Sequence, residues 1–313
     1  MELVIENVGS KLSKENSIFL VESKDMITKV PAINLERIIV NQGVVITSNA
    51  LIFALEKNID ILLVNNYNEV LGKLSNEKFG SSALVRRKQY SLFQGKVGYS
   101  IGKYLISQKI KTYFDYLEEN KVDIGNSLEI FLKELENLSD ENFGQKIMGY
   151  EGSATSEFYK KLRSLLPEKY RFSQREHQNA KEPFNILLNY CYGVLYRICE
   201  TNLIKAGIDP YFGIIHTDNY NKKSFLFDFI EPFRIYAIEA VVDFIRKKYI
   251  RESHFSEGVL TKEGKEAILI YFKKRLNTSA LYNEKQYKKS EIIRLEAFSI
   301  ARTLKEEENE VYD

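Results

Sequence analysis

The sequence predicts an α+β protein: a small β-rich N-terminal domain with one helix over residues 1–80, followed by a larger all-α C-terminal domain over 81–313. Three observations carry this. Up to about residue 75 the apolar residues come in short Ile/Val/Leu runs separated by polar or glycine turns, the pattern of strands. From about Ser82 they recur every three to four positions in long segments, the period of helices. Glycine is sparse and proline nearly absent inside those segments, as helix interiors require.

In chain order, strands are expected at Leu3–Ile5, Ser17–Val21, Ile27–Val30, Arg37–Val40 and Val44–Ile46. Thr47-Ser48-Asn49 then offers capping side chains to a helix over Ala50–Lys57, and Asn58 can close it. Strands resume at Ile61–Val64 and Val70–Leu74, and Gly80-Ser81-Ser82 reads as a hinge. Helices follow over Gln89–Glu118, Leu128–Leu138, Asn142–Leu166, Phe184–Ala206, Pro232–Tyr249, Lys262–Asn277 and Lys288–Glu307. Between the fourth and fifth of these, residues 207–223 are rich in Gly, Asp-Pro and Asn. A long irregular excursion inside a helical domain is often functional.

Composition excludes several classes. With 44% hydrophobic and 28% charged residues, the chain has enough apolar surface to fold and is not disordered. No run approaches the roughly 18 apolar residues of a spanning helix. The start, Met1-Glu2-Leu3-Val4-Ile5-Glu6, has neither the basic start nor the apolar core of a signal peptide. Cys191 and Cys199 lie eight apart on one helix, about 12 Å along it, too far to bridge each other. A reduced cytoplasmic setting and no membrane are expected. The net charge of +2 does not by itself announce a nucleic-acid binder. The last ten residues, with one Lys and five acids, read as a frayed end.

Three places could carry chemistry. In Gly149-Tyr150-Glu151-Gly152, two glycines flank a glutamate within a helical stretch. Either something approaches the backbone there, or the segment is a kink with an exposed acid. His216 follows an apolar run and precedes a polar turn; His177 and His254 sit among charges. Asp228 and Glu231, spaced i, i+3, share one side of a helical turn. They also read as a capping box before Pro232. Taken together, two carboxylates and an imidazole suit Mg²⁺ or Mn²⁺ better than structural zinc, and such ions drive phosphoryl chemistry. There is no glycine-rich phosphate loop, Gly-x-Ser-x-Gly elbow or Cys-x-x-Cys. Basic clusters at Lys160-Lys161-Arg163, Arg171/Arg175 and Arg246-Lys247-Lys248 have tyrosine neighbours. They suit phosphate contact and base stacking, or are simply solvated helix faces.

These residues resemble the CRISPR-associated adaptation integrase family. Gly149-Tyr150-Glu151-Gly152 is similar to its Gly-x-Glu-Gly segment. Gly207-Ile208-Asp209-Pro210-Tyr211-Phe212-Gly213-Ile214-Ile215-His216 resembles its long histidine segment. Phe225 to Arg234 resembles its Leu-x-x-Asp-(Leu/Ile)-x-Glu-x-(Phe/Tyr)-Arg segment, and Phe184–Tyr190 the helix before the histidine loop. Order and spacing fit over essentially the whole chain. The resemblance implies Glu151, His216 and Glu231 as ligands of Mg²⁺ or Mn²⁺, with Asp228 beside them as a further candidate. Phe158 stands where the family often has Tyr, with Tyr159 next to it. The implied activity is metal-dependent joining of 3′-hydroxyl ends of short foreign DNA fragments to the repeat boundary of a CRISPR array, with hydrolysis when water attacks instead. The implied partners are double-stranded and branched DNA, a second copy of the chain met through the β-rich domain, and the small second adaptation protein in a heterohexamer. Two other readings remain: a DNA-binding scaffold of the same fold without efficient catalysis, and a general branched-DNA repair nuclease.

Overall fold

The computed structural model describes residues 2–307 except 25, 34, 36, 66–69, 76–81, 139–142 and 217–218. In it, the apolar runs of the first 74 residues become strands. These are β1 (Glu2–Ile5), β2 (Lys11–Glu15), β3 (Ile18–Ser23), β4 (Met26–Pro31), β5 (Arg37–Asn41) and β6 (Val45–Ile46). Helix α1 (Ser48–Glu56) precedes β7 (Asp60–Val64) and β8 (Val70–Leu74). One sheet has the order β1-β5-β7-β8, with β1, β5 and β7 parallel and β8 antiparallel. The other has the order β4-β3-β2-β6. Leu12 and Phe19 from the second sheet share one buried cluster with Ile38 and Ile61 from the first and Phe53 from α1. Thr47 caps α1, its hydroxyl accepting from the Ala50 amide at 3.3 Å, and Asn58 ends it at φ 56°.

Strand β2 is absent from the sequence expectation. Lys-Leu-Ser-Lys-Glu contains one apolar residue, Leu12. Its strand character comes from pairing with β3, Lys11↔Glu22 through Glu15↔Ile18, and long-range pairing overrides local propensity. At the sheet's edge, β4 leaves Met26 and Ile27 each 64% exposed.

Backbone contacts divide the chain into Met1–Phe79 and Gly80–Asp313. The hinge residues Gly80 and Ser81, the turn residues Thr217 and Asp218, and the tail beyond 307 lie outside the described residues. The second unit begins with α2 (Ser82–Leu92), α3 (Lys96–Glu119), α4 (Ser127–Glu136), α5 (Phe143–Leu162) and α6 (Pro183–Ala206). It continues with α7 (Ser224–Phe229), a 3₁₀ turn at Glu231–Phe233 and α8 (Arg234–Arg246). A hairpin of β9 (Phe255–Ser256) and β10 (Val259–Leu260) leads to α9 (Lys262–Leu276). A second hairpin, β11 (Ser279–Tyr282) with β12 (Lys285–Lys288), leads to α10 (Lys289–Glu306). Helices dominate, as the sequence predicts, with these two hairpins added. Among the described residues no helix is long and apolar enough to cross a membrane.

Two helix boundaries differ from expectation for local reasons. The segment expected as one helix over Gln89–Glu118 is two, broken between Leu92 and Lys96. The chain folds back so tightly that a Cβ on Gly98 would lie 2.0 Å from the Phe93 carbonyl oxygen. The helix expected to start at Asp228–Pro232 starts at Arg234, and Asp228 lies inside α7. Asp228 and Glu231 therefore form no capping box.

Candidate active site

Glu151 sits on α5, which runs unbroken through Gly149 and Gly152, so the kink reading does not hold. A Cβ on either glycine would meet nothing within 4 Å. The two glycines thus leave the helix face beside Glu151 open for a ligand. One turn on, the Thr155 hydroxyl donates to Glu151 Oε1 at 2.8 Å. The Lys109 ammonium of α3 pairs with the same oxygen.

His216 ends the irregular loop between α6 and α7. Gly207 terminates α6 at φ 85°, the left-handed conformation that glycine adopts freely. Gln89, wholly buried on α2, then pins the loop. Its amide nitrogen donates to the carbonyls of Asp209 (2.9 Å) and Phe212 (3.1 Å), and its oxygen accepts from the Asp209 amide (2.8 Å). A Cβ on Gly213 would lie 2.7 Å from the Ser224 Cβ, so the turn into His216 needs glycine.

Asp228 completes the loop from α7. It is fully buried. Oδ2 accepts from the amides of Ile214 (2.7 Å) and Ile215 (3.0 Å), and Oδ1 from the His216 amide (3.1 Å). Oδ1 also lies 2.6 Å from His216 Nδ1. A carboxylate can only accept, so Nδ1 is the donor here, and in the neutral ring it is Nε2 that offers a lone pair to a ligand. Asp228 thus stands behind His216 with both oxygens engaged, neither as a helix cap nor facing the cleft. Asp228→Asn places an NH₂ group against this ring of donors. Burying that mismatch costs about 1–3 kcal/mol. Thermal melting of the variant measures the loss, and a wild-type melting temperature would refute the role.

Glu231, in the 3₁₀ turn, is 5% exposed. Its Oε2 lies 2.6 Å from Lys109 Nζ and 2.9 Å from Arg234 Nε. Neither contact has hydrogen-bond geometry, so this buried oxygen is held by charge rather than by a directed bond. Burial alone would push the Glu231 carboxyl up, but Arg234 and then Lys109 outweigh it and hold it at about 2. Burial would likewise lower the Lys109 ammonium, yet Glu231 and Glu151 together raise it. Arg234 is fixed by stacking on Tyr192 (4.9 Å) and Tyr196 (5.6 Å) and by donating to the Tyr196 hydroxyl at 2.9 Å.

Glu151, His216 and Glu231 line one cleft of ≈ 600 Å³ together with Lys109 and Arg234. The donor set, two carboxylates and one imidazole nitrogen, suits a hard divalent cation. The undirected Oε2 of Glu231 is the kind of buried acceptor such an ion satisfies. As the side chains stand, no three His, Cys, Asp or Glu groups among the described residues are close enough to enclose an ion. The Lys109 ammonium occupies the gap between the two carboxylates.

The basic clusters divide. Lys160, Arg163 and Arg175 line the cleft. Lys160 and Lys161 line a second groove of ≈ 880 Å³ on α5, which shares Gly152, Ser156 and Lys160 with the cleft. Arg175 is tied to Asn185 and Asn189 (3.1 and 2.5 Å). Arg171 is not among the cleft-lining residues; it donates to the Leu166 carbonyl at 3.2 Å. Arg246, Lys247 and Lys248 are likewise outside it, at the C-terminal end of α8, where Arg246 bonds Asn120 at 2.7 Å. The Tyr159 and Tyr192 hydroxyls meet at 2.9 Å in the cleft wall.

Sequence reading does not single out Lys109 or Gln89, and names Arg234 only as the last residue of the segment that begins at Phe225. For Lys109 a signal exists: Ile101, Leu105, Lys109 and Tyr113 follow at i, i+4 along the buried stripe of α3. A lysine on an apolar stripe marks a charge that must find partners. Gln89 carries no comparable mark.

A family model described as CRISPR associated protein Cas1 matches residues 3–274. The CRISPR-associated endonuclease Cas1 1 of Archaeoglobus fulgidus is 26% identical, over 98% of this chain and 97% of its own. A casposase bound to integration product superposes with TM-score 0.81 at 21% identity, covering 97% of this chain and 90% of that one. A chain of a Cas6-RT-Cas1–Cas2 complex gives 0.71 at 20%, covering 97% and 35%.

Proposed function

Since the chain belongs to the Cas1 family of CRISPR-associated proteins, we propose that it is the metal-dependent DNA integrase and endonuclease of CRISPR adaptation. The observation that carries this is the cleft: Glu151 from α5, His216 from a loop and Glu231 from a 3₁₀ turn, up to 80 positions apart, line one cavity. Glu151, His216 and Glu231 would hold Mg²⁺ or Mn²⁺. Bound there, the ion supplies polarisation of the phosphoryl oxygens and stabilises the attacking or leaving oxygen.

The remaining work falls to the chain itself. Asp228 keeps His216 in the tautomer that offers Nε2. Arg234 keeps Glu231 ionised. Lys160 and Arg163 stand at the cleft to meet phosphates, and the open glycine face of α5 lets a strand approach the helix backbone. A 3′-hydroxyl positioned against the repeat-boundary phosphodiester displaces the other 3′-oxygen; water in the same place gives hydrolysis. No covalent protein nucleophile takes part. The casposase likeness supports joining chemistry on this fold, and the Cas2 complex supports a small adaptation partner. The exposed apolar edge of β4 supports self-association through the β-rich unit.

The test is an integration assay. Full-length protein, the small partner, 3′-hydroxyl fragments and a repeat-containing plasmid are combined with Mg²⁺ or Mn²⁺. Fragments covalently joined at the repeat boundary, lost on chelation, are expected. Cleavage without joining would instead make it a repair nuclease, and DNA binding with neither reaction a scaffold. Sedimentation of the full chain, which should not be monomeric at micromolar concentration, reads the dimer.

A further inference from the structure

We propose that Lys109 is a resident counter-cation which a divalent ion must displace, so that this one side chain sets how weakly the DNA-free protein holds metal. The inference rests on the metal reading of the cleft. Lys109 is 4% exposed, with Nζ 2.6 Å from Glu231 Oε2 and paired with Glu151 Oε1. A divalent ion held by Glu151 and Glu231 would need the carboxylate oxygens that Lys109 now pairs with. It would therefore contend with the ammonium for the same gap and the same lone pairs. Two cations contending for the same carboxylates repel, most strongly on the buried Glu231 side.

The two cations at Glu231 are not equivalent. Arg234 is clamped between Tyr192 and Tyr196 and bonded to a hydroxyl. It can remain while metal enters, because it reaches Glu231 from its own helix. Lys109 is held at its tip by the two carboxylates, apart from a 5.5 Å contact with the Tyr113 ring. Its four-carbon stem is flexible, and its ammonium bridges the very groups an ion would bridge. Lys109 thus keeps the two carboxylates from repelling each other when no metal is bound, and holds the cleft in a charge-matched resting state.

The experiment is a Mn²⁺ titration of the DNA-free full chain at fixed pH, with free Mn²⁺ read by electron paramagnetic resonance. Lys109→Met should bind at least about tenfold more tightly than wild type, since a competing cation is gone. Lys109→Arg, which keeps the charge, should stay near wild type. Glu151→Gln added to any of them should abolish the binding. Wild-type binding that depends on Glu151, with no gain in Lys109→Met, overturns the proposal while sparing the metal site. No Glu151-dependent binding in wild type or Lys109→Met overturns the metal reading itself. Should Lys109→Met fail to fold, wild-type protein still decides the matter. Acetic-anhydride labelling of Lys109, followed by mass spectrometry, should rise several-fold on saturation with Mn²⁺. Unchanged labelling at saturation means the ammonium never left.

Discussion

Glu151→Gln abolishes strand transfer and hydrolysis together, by at least about a hundredfold, while leaving DNA affinity within a few-fold of wild type. The amide keeps the shape of the side chain but removes its negative charge. Glu151 is 25% exposed on an open helix face, so the fold does not depend on it. Its oxygen is bonded by Thr155 and paired with Lys109. Losing the carboxylate removes one of the two anionic groups proposed to hold the metal and leaves the Lys109 ammonium paired with Glu231 alone. Both reactions need the same activated phosphodiester, so both fall. On the proposed reading, DNA is held by separate basic groups such as Lys160 and Arg163, which line the same cleft. Parallel integration, nuclease and binding assays check this, and near-normal turnover would remove Glu151 from the site.

Arg234→Met has the largest expected effect on stability. Removing one partner of a buried ion pair strands the other charge, at a cost of about 3–5 kcal/mol. Here buried Glu231 keeps only Lys109, already shared with Glu151, as its counter-charge, so the cost falls at the lower end of that range. The stacking on Tyr192 and Tyr196 is lost as well. For a unit of this size the melting temperature should fall by roughly 10 °C. The pH response has a defined sign. The Glu231 carboxyl is depressed from an ordinary 4.5 to about 2, so its contribution is present above 4.5 and is lost as pH falls from there through about 2. Without Arg234 the carboxyl rises and that loss moves to higher pH. Melting curves of wild type and variant across the acid range report both effects, and superimposable curves would contradict the pairing.

What the sequence made legible was mostly local. The cap at Thr47, the stop at Asn58 and the glycines of the histidine loop are written in side chains that act on their own neighbourhood. The Glu151, His216 and Glu231 segments could be marked out because each matches a family segment, and of the three only the histidine loop carries a backbone need, at Gly207 and Gly213. What stayed hidden was long-range. Strand β2 exists because β3 lies beside it. Asp228 looks like a helix cap until the amides of residues 214–216 are seen to converge on it. Lys109 is a stray charge on an apolar stripe until two carboxylates, 42 and 122 positions further along the chain, close around it.

That same dispersion has a consequence for synthesis. Lys109, Glu151, His216, Glu231 and Arg234 meet in one cleft, yet the last of them is translated 125 residues after the first. Contacts of such sequence separation form late, after loop closure has been paid for, and domains emerging from the ribosome complete their folding as units. A nascent chain or a prematurely terminated product ending before α8 carries Glu151 and His216 without the Glu231–Arg234 pair. Arg234 is followed by 79 further residues; on the proposed reading, a chain that stops before it lacks the guanidinium that holds Glu231 and should not cut DNA.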